Sequence, residues 1–176
     1  MPETKTVAKK EQRRHHNRRE MPAASKRVPD VIAENKDWVI DRWLERMKAN
    51  AELMGVSLSK AERTDHVPDL LDEAIAHSCG DRIHVEERQK AAERHGTLRY
   101  HQGYSIPMLI LEAHLLQDVI AECIRENFSV IDFTTLIPDI AKVSETLVSE
   151  LEESSRAYMQ QFAWQANRSS KRAKPA

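Results

Sequence analysis

Apolar positions recur at helical rather than strand spacing along most of this chain. After Pro29-Asp30, residues Ile32, Val39, Trp43 and Met47 form one stripe and predict a first helix ending near Asn50. Val31 and Trp38 fall off that stripe and are expected to cover a second surface, such as a dimer contact. Gly55 breaks the chain, and Ser59 with Glu62 spells an S-x-x-E capping box that opens a second helix. Pro68 divides it, so residues 59–66 and 68–79 are expected to be two pieces with a kink between them. Val67, Leu70, Leu71, Ala74, Ile75 and Cys79 give the second piece its apolar face, and Gly80 ends it.

The pattern then changes character. Residues 83–101 are polar almost all round, with Ala91, His95, Leu98 and Gln102 on one narrow face and Arg88 and Arg99 along its edge. Gly103 stops that helix, and Ser105 with Pro107 starts the next, over 105–127. This fourth helix is apolar over much of its circumference, the mark of a helix central to its bundle. One carboxylate, Glu112, sits inside the apolar arc between Met108, Leu116, Val119 and Cys123. From Phe133 to Gln165 a near-heptad run (Leu136, Ile140, Val143, Leu147, Leu151, Tyr158, Phe162) predicts a last helix about 48 Å long at ~1.5 Å per residue. Its far half is expected to project or to pair with a second subunit.

Composition supports helices. Four glycines in 176 residues are too few for a chain rich in tight β-turns. The fold class expected is therefore all-α, a single globin-like or four/five-helix bundle with a long C-terminal helix and disordered basic tails. The domain divisions are residues 1–28 (basic tail), 29–165 (helical domain) and 166–176 (basic tail). The net charge of −1 conceals this division, because both ends are strongly basic and the middle is acidic. The KKEQRRHHNRR run of the N-terminal tail could touch nucleic acid or an anionic surface electrostatically, but a solvated tail is the preferred reading. It lacks interleaved aromatics that would stack on bases. No apolar run is long enough to span a membrane, and no secretory h-region follows the basic start, so the expected location is the cytoplasm.

The candidate chemistry centres on Glu112. An ionised carboxylate in an apolar arc must be paired, hydrated or protonated. A helix hairpin turning at Gly103 would bring residues 95–102 opposite 105–115. Arg99 is then the preferred partner, since a guanidinium offers two parallel hydrogen bonds, with His95 and Gln102 completing a buried polar network. That network serves either to set helix register or as a sensory pocket, including a pH switch at His95. No nucleotide-binding, hydrolase or HExxH signature is present, so no catalytic residue and no cofactor are expected. No metal site is expected either. His66, His77, His84, His95, His101 and His114 show no i, i+4 pair, and His15-His16 lie in the tail. Cys79 and Cys123 lack metal or CxxC spacing and read as small core residues.

The run HGTLRYHQGYSIPMLILEAHLLQDV at 95–119, with DWVIDRWLERM and DHVPDLLDEA before it, resembles the N-terminal sensor domain of RsbR-type stressosome co-antagonists. Related domains precede the kinase core in some bacterial histidine kinases. The resemblance covers residues 31–150, and its motif positions are His95, Gly96, Arg99, Gln102, Gly103 and Glu112. It implies an all-α, homodimeric, haem-free globin-like domain that passes a signal to kinase or stressosome-type partners. The family usually places a STAS or kinase module after this domain, where this sequence has a basic tail. Ala113-His114 also stands where the family has an aromatic-basic pair. The expectation is a non-enzymatic, stand-alone sensor or adaptor. The competing reading is an anionic-surface or nucleic-acid binder whose helical domain serves as dimeriser.

Overall fold

The computed structural model describes residues 25–80 and 85–172, and over these the protein is all-α, with a long C-terminal helix. Residues 1–24 of the expected 1–28 tail, 173–176 of the expected 166–176 tail, and 83–84 at the start of the third helix lie outside the described residues. Helix α1 (Val28–Glu34) and helix α2 (Lys36–Ala49) replace the single first helix expected from spacing. They meet at Asn35, whose φ of −110° and ψ of 16° leave the helical region, and whose Nδ2 donates to the Val31 carbonyl at 2.8 Å. That break resets the helical phase. Val31, expected off the stripe, is therefore buried with Val28 and Ile32, while Val39, Trp43 and Met47 form the inner face of α2.

A short turn of helix, α3 (Ala51–Met54), follows, capped by the Asn50 side chain. Helix α4 (Lys60–Thr64) starts at the Ser59–Glu62 capping box, and α5 (Val67–Cys79) carries Pro68 in its first turn, where the missing N–H costs nothing. Gly80 ends α5 at φ 85°, in the left-handed region that suits glycine. Cys79, expected in the core, is exposed at this last turn, whereas Cys123 is buried. Burial pushes the Cys123 thiol up to about 11, which favours the protonated form.

Helix α6 (Val85–His101) and helix α7 (Ile106–Glu126) flank Gly103, but they do not form the expected hairpin. Helix α6 packs mainly along α8 (Phe133–Arg172), a 40-residue helix of about 60 Å at roughly 1.5 Å per residue. Helix α7 lies against α2, α8 and α1. The inner face of α6 is Ala92, His95, Gly96 and Arg99, one step round from the face expected through Ala91 and Leu98. The reason is size. A Cβ on Gly96 would stand 1.9 Å from the carbonyl oxygen of Ser154 on α8, so only glycine permits this approach. Leu98, the large apolar residue of α6, is left partly exposed as a result.

Both boundaries drawn on composition also shift. Lys26 pairs as a short parallel bridge with Ile131, Arg27 bonds the buried Asp139 through Nε at 3.2 Å and Nη2 at 2.5 Å, and Val28 is fully buried. Residues 25–28 thus belong to the folded body, because a buried acid and an open backbone edge at the α7–α8 turn recruit them. At the other end α8 continues through 166–172 into the segment read as tail, since nothing in that stretch breaks a helix.

Candidate functional site

The end of α6 is built to hold one side chain. Gly103 has φ 84°, the Tyr104 N–H bonds the Arg99 carbonyl at 3.0 Å, and the Gly103 N–H bonds the Tyr100 carbonyl at 3.1 Å. This paired arrangement is the Schellman ending, and it folds the chain back so that the Tyr104 ring covers Arg99. The guanidinium carbon sits 4.9 Å from the ring centroid. The Tyr158 hydroxyl on α8 pins the turn by donating to the Tyr104 carbonyl at 2.7 Å.

Arg99 is completely buried, and each of its five N–H groups has an acceptor. Nε donates to Glu112 Oε2 at 3.0 Å and Nη2 to Glu112 Oε1 at 2.6 Å. Nη2 also reaches the Arg63 carbonyl at 2.9 Å, while Nη1 donates to the Glu62 carbonyl at 3.0 Å and to Gln102 Oε1 at 2.7 Å. The guanidinium therefore ties α6 to α7 and to the end of α4. Burial pushes the Glu112 pKa up and the Arg99 charge opposes it. The bidentate pairing requires the ionised carboxylate. The Trp43 indole N–H adds a bond to the Glu112 carbonyl oxygen at 3.1 Å, which brings α2 into the same joint. Beside it, the buried Tyr104 hydroxyl has no hydrogen bond of good geometry, and burial followed by the Glu112 charge pushes it up to about 12.

His95 stands differently from the network expected of it. It makes no hydrogen bond to Arg99 or Glu112 through Nδ1, which is buried without a partner. Its ring instead lies against that of His66, with centroids 3.4 Å apart and planes tilted by 32°. The His66 Nδ1 is likewise buried and unpartnered. Burial, then the Arg99 charge, lowers His66 to about 3, and burial, then His66 and Arg99, holds His95 well below the usual imidazole range, which favours the neutral form of both rings. One donor atom each from His66, His95 and Glu112 lie within 4.8 Å of one another.

Glu150 of α8 completes the surroundings. Its Oε1 is buried without a hydrogen bond, and burial, with the charges of Glu112 and Glu73, pushes its pKa up to about 8. His66, His95, Glu112 and Glu150 share an internal cavity of about 20 Å³ walled by Trp43, Leu109 and Leu116. His66, His95 and Glu150 also line an open groove of about 990 Å³ whose rim carries the Arg88–Glu73 ion pair at 3.3 Å. Arg88 thus serves the rim and stays outside the Arg99 cluster.

Sequence reasoning pointed to Arg99, Gln102 and Glu112, which the fold brings into contact, and to Gly96 and Gly103, which shape α6. It missed His66 and Glu150. Glu150 carried a usable signal, being an acid on the Val143–Leu147–Ser154 stripe just as Glu112 is on its own. His66 carried none, since its neighbours in space are remote in sequence. No protein-family model, curated protein or solved structure matches this chain.

Proposed function

We propose that this protein is a signalling sensor or adaptor module of the RsbR-type N-terminal class, acting as a homodimer through helix contacts rather than through bond-making chemistry. The observation that carries the reading is an apolar groove of about 640 Å³ between α7 and α8, lined by Ile120, Ile124, Phe128, Ile140, Val143 and Leu147. Phe133, whose ring centroid lies 4.9 Å from that of Phe128, and Ile137, one turn before Ile140 on α8, are 60% and 71% exposed. The exposed apolar side chains here are Phe128, Phe133 and Ile137, above the buried Ile120, Val143 and Leu147, and exposed apolar surface of this kind marks an interaction surface. A second copy presenting the same α7–α8 pair would cover it isologously as a four-helix arrangement. Kinase or stressosome-type partners would then read changes in how the two α8 helices lie together.

The test is light scattering after size exclusion at tens of micromolar. A dimer is expected, and the double substitution Ala121→Arg with Ser144→Arg, at exposed groove positions, should yield a folded monomer. A wild-type monomer at that concentration would remove the dimeric part of the reading. Among the described residues no helix is long and apolar enough to cross a membrane.

A further inference from the structure

We infer that His66, His95 and Glu112, with Glu150 at the same cavity, form a binding site for a single divalent transition-metal ion of the zinc class. Three independent observations converge on it. The first is the donor set. Two imidazoles and a carboxylate, drawn from the start of α5, from α6 and from α7, place one donor atom each within 4.8 Å of the others. Metal–ligand bonds of about 2.1 Å put neighbouring donors roughly 3–3.4 Å apart and opposed donors about 4.2 Å apart, so rotation of the two imidazoles toward a Glu112 carboxylate held by Arg99 would close the shell. Imidazole nitrogen with carboxylate oxygen suits zinc, cobalt or iron rather than calcium or magnesium.

The second observation is unmet bonding capacity. His95 is 4% exposed, yet its Nδ1 has no partner, and the same holds for His66 Nδ1 and Glu150 Oε1. Buried polar atoms are nearly always bonded, and each exception asks for a ligand, an ion or a water. Three of them belong to residues that line this one cavity. The third observation is space and access. The cavity of about 20 Å³ holds one ion or one water, and the open groove reaches His66, His95 and Glu150 from outside.

Arg99 grips both Glu112 oxygens and fixes the carboxylate plane, while Trp43 anchors its backbone. The guanidinium opposes a further positive charge, and the carboxylates of Glu112 and Glu150 offset it. The metal's role as the sensed ligand rests on the sensor reading above. Binding itself does not depend on it, and is read equally on the monomeric Ala121→Arg/Ser144→Arg variant.

Full-length protein stripped with a chelator and titrated with Co²⁺ alone should bind one ion per chain at micromolar concentration or below. Visible d–d absorption should appear and be displaced by Zn²⁺. His66→Ala and His95→Ala should each weaken binding at least about tenfold. Replacing His15 and His16 together with Ala should leave it unchanged, which excludes the tail as the site. If the core variants fail to fold, the wild-type Co²⁺ protein still decides, because its proton spectrum should show contact-shifted N–H signals from two imidazoles. Absence of saturable binding, which leaves only a water in the cavity, overturns the proposal. So does Co²⁺ binding that survives in both folded core variants, or a spectrum without two shifted imidazoles.

Discussion

Arg99 and Glu112 are joined by two hydrogen bonds in a site where neither charge reaches water. Removing one member of such a pair leaves the other uncompensated, at a cost of about 3–5 kcal/mol. Arg99→Ala and Glu112→Gln should therefore each destabilise the fold in urea unfolding, and the double variant should lose much less than their sum. Arg99→Ala should cost the more of the two, since Gln102 and the carbonyls of Glu62 and Arg63 also lose their donor. Additive losses would show that the two side chains act separately. Glu122 offers a titrating contrast at the α2–α7 contact. The Arg42 guanidinium bonds it at 3.0 Å and Arg46 bonds its other oxygen, and hydrogen bonding to Arg42 first, then its charge and Arg46, holds its pKa below the ordinary carboxylate value. The folded state thus favours the charged form. Its contribution is present above the unfolded carboxylate pKa and is lost as pH falls through the depressed folded one. Wild type should accordingly exceed Glu122→Gln in stability at neutral pH, and the gap should close in acid. A gap constant across pH would remove the ionic account.

At the scale of elements, the contact between α6 and α8 decides where every polar side chain of α6 points. Gly96→Ala tests it with opposing magnitudes. Alanine favours the helix by about 1 kcal/mol over glycine, but its Cβ would overlap the Ser154 backbone, and such overpacking costs roughly 3 kcal/mol or more. The net result should be a clear fall in melting temperature, with a rise showing that the helices are free to separate. The start of α4 at Ser59, the end of α5 at Gly80 and the extent of α7 were all legible in the sequence. These depend on neighbours a few residues away. The face of α6 was not legible, because its packing relies on the smallness of Ala92 and Gly96 rather than on a row of large hydrophobes. The break at Asn35 was hidden too, since a continuous apolar stripe runs across it.

On the scale of the whole molecule, the apolar α7–α8 groove and the polar core open on different surfaces. A partner covering the first leaves the second accessible. The proposed dimer should therefore persist with or without metal, and a dimer that forms only with metal would require the ion to lie between subunits. The chain's own pattern determined that the fold is helical, that its last helix is long, and that Glu112 needed a cation. Each follows from hydrophobic period, from capping residues within one turn, or from the cost of burying an unpaired charge. Tertiary structure alone decided that His66 meets His95, that Glu150 turns inward beside them, and that Lys26 and Arg27 join the body. Those contacts link residues up to 112 positions apart, and local periodicity holds no term for such distances.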